Sequence, residues 1–233
     1  MIVTATLLQA IVLGAVLVLW PLRARLSGRV SSATAWRFGL YFTALGLAFL
    51  FVEIAWIQRF VQFLGHPLYA VSVVLTCFLV FAGVGAGVST GLERRLAGQR
   101  VSALDVAVGG IVLMATLYLL ALPTVLAALA GLSVALRVVA TLVLLAPLAF
   151  FMGMPFPLGL ARIASTDLEF IPWAWGLNGC ASVVSTAAAT LISLHFGISA
   201  TVITGLGLYA AALFLLRNVP VVQGDAGPSA GPA

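Results

Sequence analysis

Residues 38–57 have the sequence FGLYFTALGLAFLFVEIAWI, and this stretch decides the fold because it has the length and apolar character of a membrane-crossing helix. A helix rises about 1.5 Å per residue, so roughly 20 apolar residues cross the hydrocarbon layer of a bilayer. Glu53 is the only charged residue in the stretch. The sequence therefore predicts a transmembrane helix over Phe38–Ile57.

Further apolar runs of similar length lie on both sides of this one. They are Ile2–Leu22, Leu68–Val88, Val101–Leu122, Leu136–Met154, Trp173–His195 and Ile198–Leu216. Together they predict an all-α fold, a polytopic membrane helix bundle of about seven transmembrane helices over residues 1–217. The polar tail at 218–233 is predicted to be disordered. Pro123–Ser133 is apolar but short and interrupted by Pro and Gly, so we expect it to lie along the membrane surface.

The composition agrees with a membrane protein and excludes several other classes. Hydrophobic residues make up 63% of the 233 residues and charged residues 7%, and the mean hydropathy is +1.23. Water-soluble domains do not have such values. The 11 basic residues are all arginines that cluster near helix ends, which gives nucleic-acid binding almost no support. Cys77 and Cys180 lie in apolar runs and are interpreted as packing residues, so no disulfide, metal or cofactor is predicted.

The arginines predict the orientation, because basic loops stay in the cytoplasm. With the N-terminus outside and the C-terminus cytoplasmic, only Arg59 and Arg137 face out. The cytoplasmic set is then Arg23, Arg25, Arg29, Arg37, Arg94, Arg95, Arg100, Arg162 and Arg217. All tryptophans lie near predicted helix ends, as expected for rings that prefer the headgroup layer. The N-terminus lacks the basic start and cleavage site of a secretory signal, so the first run is expected to remain as a helix.

Glu53 is the most unusual residue, because a carboxylate deep in a membrane helix is costly unless it is paired, protonated or facing water. Arg59 and His66 lie beyond it toward the same side. Arg59 is on a different helical face, so a direct pair with Glu53 needs a bent helix or a long reach by the side chain. Glu53 is either a proton or substrate site or a buried polar contact. His66, before Pro67, is expected to cap a turn, with a functional role as the alternative.

Small and polar residues elsewhere predict local structure. Ser102 and Asp105 are spaced as a capping box at the start of a helix. Two rows of small residues at four-residue spacing predict close helix contacts. The rows are Gly83, Gly87 and Gly91, and Ala181, Ser185 and Ala189.

Two proline-containing segments have the most unusual local chemistry. In Met152–Gly159, Pro155 and Pro157 follow Met154 and are expected to end or kink the fifth predicted helix. Such irregular backbone must be buried in protein or lined by water. The second segment is Ile171–Asn178, with Trp173, Trp175 and the polar Asn178. Its helix start is either an anion or headgroup site or an interfacial turn anchored by tryptophans.

Three strings in this order resemble one family. They are LFVEIAWIQRFVQFLGHPLYAVSVVL (residues 50–75), GMPFPLG (153–159) and PWAWGLNG (172–179). They are similar to the C-terminal membrane region of bacterial membrane-bound spermidine synthase-like, or polyamine aminopropyltransferase-like, proteins. The resemblance covers residues 1–217 and implies a location in the bacterial cytoplasmic (inner) membrane.

Members of that family typically carry a soluble Rossmann-like domain with methyltransferase-like fold, which supplies the catalytic aspartates. This sequence has only six acidic residues and none lies in a nucleotide-binding fingerprint. No catalytic residue is therefore carried over, and activity of this polypeptide on its own is not expected. The resemblance implies a membrane module that anchors or assists a separate soluble Rossmann-like enzyme. The alternative is a stand-alone small-molecule transporter or permease, and an intramembrane enzyme ranks last.

Overall fold

The computed structural model describes residues 32–165 and 168–217. These residues form helices and turns, with no strand among them. The α-helices are α1 (Ser32–Leu64), α2 (Pro67–Arg95), α3 (Ala103–Ala128), α4 (Val134–Met152), α5 (Pro155–Ala164), α6 (Ile171–Phe196) and α7 (Ile198–Arg217). A short 3₁₀ turn, Leu168–Phe170, precedes α6. The prediction of an all-α fold is confirmed.

Six helical segments of the described chain are long and apolar enough to cross a membrane, with α4 and α5 together forming one of them. They match six of the predicted spans. The remaining predicted span, Ile2–Leu22, and the tail at 218–233 lie outside the described residues, so the count of seven stays a prediction. The observed α1 extends beyond Phe38–Ile57 at both ends.

The prediction for Pro123–Ser133 is wrong. Helix α3 continues through Pro123 to Ala128, and only a short turn separates it from α4. A proline inside a helix removes one backbone hydrogen bond, but neighbouring helices in a membrane bundle can compensate for that loss. This segment therefore adds to the length of α3 and does not form a separate surface element.

Helix α1 lies at the centre of the bundle. In the most apolar 18-residue stretch of α1, 61% is buried inside the protein. In the corresponding stretches of the other five spans, the buried share is 17–28%. Its closest neighbours are α6 and α7, and α2 packs against α4. The outward faces carry large apolar side chains such as Leu120, Phe196 and Phe214, each at least 70% exposed. An apolar exterior around a packed interior is the arrangement that a lipid environment favours.

Small residues let the helices approach closely, although not where the first small-residue row predicts. Gly83 and Gly87 are exposed, and a Cβ added at either one, or at Gly91, would meet no atom within 4 Å in residues 32–165 and 168–217. The predicted contact at this row is therefore not made by any of the described helices. The contact is made one residue away, by Gly85, where an added Cβ would overlap the carbonyl of Phe150 on α4.

The second small-residue row is confirmed. Ala181, Ser185 and Ala189 are buried on α6. The Ser185 hydroxyl donates a 2.7 Å hydrogen bond to the carbonyl of Leu47 on α1. Nearby, a Cβ added at Gly46 of α1 would lie 3.0 Å from the Cβ of Ala181. The row is therefore the seam between α1 and α6.

Candidate functional site

The helix break between α4 and α5 is buried in protein, as predicted. Helix α4 ends at Met152 and α5 begins at Pro155, which lacks an N–H and so suits a first helical position. Met154 is 1% exposed. The hydroxyl of Tyr41 on α1 donates a buried 2.6 Å hydrogen bond to the carbonyl of Pro155. Pro157 is half-buried in the first turn of α5.

The start of α6 packs against the same part of the bundle. Asn178 donates from its side-chain amide to the carbonyl of Phe42, at 3.2 Å. The Trp175 ring contacts Phe156 of α5, with ring centroids 4.7 Å apart, and is 59% exposed. Trp173 is half-buried. The amide of Asn178 is therefore used in the contact with α1, and the exposed ring of Trp175 suits the headgroup layer.

We call this contact region the proline junction, which consists of Tyr41, Phe42, Pro155, Phe156 and Asn178. It joins α1, α5 and α6 through two side-chain hydrogen bonds to backbone carbonyls and through edge-to-face aromatic contacts. Each of these contacts supports packing.

Glu53 is buried on α1, with 5% of the residue exposed. It makes no hydrogen bond or ion pair with another residue of the described ranges. Tyr209 of α7 lies within electrostatic range of Glu53 and of Tyr41, and its own buried hydroxyl also lacks a hydrogen-bond partner in the described chain. Arg59 is half-buried and forms no ion pair with Glu53. The choice between a proton or substrate site and a packing role therefore stays open.

His66 caps a helix. It is the N-cap of α2, and its Nδ1 accepts a 3.2 Å hydrogen bond from the backbone N–H of Leu68. Pro67 occupies the first helical position and Gly65 has a φ of 77°, which favours glycine. The expected capping role of His66 is confirmed.

The structure has a second candidate site, a cleft that the sequence pattern did not predict. At one end of the bundle, the ends of α2, α5 and α7 and the start of α3 surround a cleft of about 610 Å³. We call it the arginine cleft. Its charged lining residues are Arg94, Arg100, Arg162, Arg217, Glu93 and Asp105.

Both acidic residues of the arginine cleft are engaged with the start of α3. Glu93 accepts a 3.0 Å hydrogen bond from the backbone N–H of Ala103. Asp105 accepts from the backbone N–H and from the hydroxyl of Ser102, each at 2.9 Å, which confirms the predicted capping box. Asp105 also forms a 2.6 Å ion pair with Arg217. Negative charge at a helix start is stabilised by the helix dipole.

The arginines of the cleft differ in their ion-pair and hydrogen-bond partners. Arg217 is paired with Asp105. Arg94 donates only to the carbonyl of Thr90 on its own helix, at 3.4 Å, and Arg100 lies exposed in the turn before α3. Within residues 32–165 and 168–217, neither Arg94 nor Arg100 forms an ion pair with a carboxylate. The cleft is therefore basic as a whole.

The other end of the bundle uses its arginine differently. Arg137, near the start of α4, donates to the carbonyls of Leu132, Ala130 and Phe63. Phe63 lies in the last turn of α1, and Ala130 and Leu132 lie in the turn after α3. Arg137 therefore supplies hydrogen bonds to carbonyls at the end of one helix and in the turn after another. Arg137 and the arginine cleft lie at opposite ends of α1, in line with the predicted distribution. Which end faces the cytoplasm stays a prediction.

The signal for the cleft was present in the sequence. The positive-inside rule places all four of its arginines on one side of the membrane, but the sequence does not show which helix ends are neighbours. In the described part of the chain, no three His, Cys, Asp or Glu side chains lie close enough to hold a metal ion. Cys77 is buried, and its thiol donates to the carbonyl of Leu142.

No protein-family model, curated protein or solved structure matches this chain. The function is therefore argued from the residues and their geometry.

Proposed function

We propose that this chain is the membrane module of a spermidine synthase-like system, which anchors or assists a separate soluble enzyme with a Rossmann-like fold. The proline junction is the observation that carries this proposal. Two of the strings that resemble the family, GMPFPLG and PWAWGLNG, meet there on α1. The two segments that carry the resemblance thus lie in a packed part of the helix bundle, and a packed scaffold suits an anchoring role.

The arginine-bearing end is where a soluble partner is expected to dock. The turn between α2 and α3, residues 96–101, is exposed apart from the half-buried Leu96 and projects beside the arginine cleft. By the positive-inside rule this end faces the cytoplasm, where a soluble polyamine-synthesising enzyme would be found.

Site-directed photocrosslinking in native membranes tests the proposal. A photoreactive side chain replaces the exposed Gln99 in that turn, and the control replaces the exposed Gln62 at the other end of the bundle. We expect position 99 to capture a soluble protein that mass spectrometry identifies as a methyltransferase-fold enzyme, and position 62 to capture none. Capture of no such enzyme at position 99, in membranes whose cytosol shows aminopropyltransferase activity, would contradict the proposal.

The second candidate function is a transporter, and the buried Glu53 favours it. A carboxylate without a described partner in a membrane helix is typical of proton-coupled pathways. Proton flux into proteoliposomes, reported by an enclosed pH-sensitive dye, tests this candidate. A transporter with a proton pathway through Glu53 requires that the wild-type protein conducts protons and that Glu53→Gln, folded to the same extent, does not. Equal flux through the wild type, the variant and empty vesicles would exclude it.

A further inference from the structure

We propose that the arginine cleft binds a phosphate-bearing anion, either the headgroup of an anionic lipid or a soluble phosphate compound. The inference does not depend on the enzyme partnership proposed above, because it rests only on the shape and charge of the cleft. Its volume of about 610 Å³ lies within the range of small-molecule sites.

The arrangement of charges favours an anion over a cation. The two carboxylates of the cleft are engaged by backbone amides at the start of α3, by Ser102 and by Arg217. These contacts offset part of the negative potential that the two carboxylates exert in the cleft. The guanidinium groups of Arg94 and Arg100 form no ion pair in the described ranges, although the carboxylate of Glu93 lines the same cleft. A bound anion would supply the missing partner.

The residue types favour phosphate in particular. Arginine presents several N–H groups in a planar fork that matches two phosphate oxygens at once. The exposed residues Thr90 and Ser165 also line the cleft, and the hydroxyl of Ser165 donates a 2.8 Å hydrogen bond to the carbonyl of Arg162 and can still accept one. Apolar lining is supplied by Leu104, Leu158 and Leu216. A charged rim beside an apolar floor suits a phosphate group attached to a larger apolar body, although it also admits a free phosphate compound.

Binding is measured on the purified full-length chain after bound lipid has been removed. The two probes are short-chain phosphatidic acid, which carries phosphate on a lipid, and inorganic phosphate. We expect saturable one-to-one binding of at least one probe, which weakens as the salt concentration rises. If only the lipid binds, the source is the membrane; if inorganic phosphate binds or displaces the lipid, the source is a soluble compound. Absence of saturable binding by both probes would overturn the proposal.

Matched variants assign the binding to the cleft. Arg94 and Arg95 are exposed neighbours at the end of α2, but only Arg94 lines the cleft. We expect Arg94→Gln to weaken binding about tenfold, through loss of a charge-assisted hydrogen bond, and Arg95→Gln to leave it nearly unchanged. Arg100→Gln, in the turn outside the helices, should weaken binding about as much without affecting helix packing. Equal weakening by Arg94→Gln and Arg95→Gln would overturn the assignment.

Discussion

Adding a single methyl group to α2 should have opposite effects at positions two residues apart. Gly85 lies against α4, where an added Cβ would overlap the carbonyl oxygen of Phe150 and lie 2.9 Å from its carbonyl carbon. The contact is reciprocal, because a Cβ on Gly153 would overlap the carbonyl of Ala82 on α2. Gly83, two residues before Gly85, has nothing within 4 Å of its own added Cβ. We therefore expect Gly85→Ala to destabilise the fold and Gly83→Ala to leave it intact.

The magnitude follows from two opposing terms. Replacing glycine by alanine inside a helix gains about 1 kcal/mol, because glycine loses more backbone freedom on folding. Overpacking costs about 1–3 kcal/mol, and the upper value applies at Gly85 because the overlapped atoms belong to a helix backbone. Gly85→Ala should thus lower the free energy of unfolding by about 2 kcal/mol, and Gly83→Ala should raise it by up to about 1 kcal/mol.

The assay is unfolding by sodium dodecyl sulfate in mixed micelles, followed by the loss of helical circular dichroism. The decisive quantity is the difference between the two variants, about 3 kcal/mol, because helix propensity is nearly the same at both positions. Equal stability of Gly85→Ala and Gly83→Ala would refute the close approach of α2 and α4. A larger loss for Gly83→Ala would instead favour the original sequence pattern.

Three further predictions concern capping, the proline junction and orientation. Ser102→Ala should lower the free energy of unfolding by about 1 kcal/mol, because it removes the side-chain half of the capping box, and the same unfolding assay measures it. Tyr41→Phe should cost about 1 kcal/mol by leaving the Pro155 carbonyl without its hydrogen bond, again measured by unfolding. Cysteines at Gln99 and Gln62 should react with an impermeant thiol reagent from opposite sides of the membrane, with Gln99 protected in intact cells.

Controls from the same chain make these outcomes specific. Ser133 is the N-cap of α4 but makes no capping hydrogen bond with its side chain, so Ser133→Ala should change stability much less than Ser102→Ala. Tyr69 is 55% exposed, so Tyr69→Phe should be neutral where Tyr41→Phe is not. Equal effects within either pair would show that the hydrogen bond is not the cause. Reaction of both cysteines from the same side would contradict the helix arrangement.

The sequence predicted the parts of the fold that depend on local chemistry. Apolar length located six of the helices, proline chemistry located the break before Pro155, and residue spacing located the capping box at Ser102. Each of these signals lies within a few residues of its effect.

The sequence failed where the outcome depends on which helices are neighbours. The row at Gly83, Gly87 and Gly91 has the spacing of a helix contact, but the rotation of α2 turns Gly85 toward α4 and leaves the row without a close contact to the described helices. The helix also passes through Pro123, because a proline inside a packed bundle can be tolerated. The arginine cleft was missed for the same reason, since the ends of α5 and α7 are distant in the sequence from the α2–α3 turn beside which they lie.

The central position of α1 has a consequence for how the protein is made. The helix that occupies the middle of the bundle is synthesised well before α6 and α7, which surround it. Glu53 therefore enters the membrane before Tyr209 exists, and its carboxyl group first meets lipid or the insertion machinery. Ribosome-stalled chains that end before α6 should crosslink from position 53 to lipid or insertase, whereas the finished chain should not. Insertion would then be a stage at which this acid faces lipid, before the later helices pack around it.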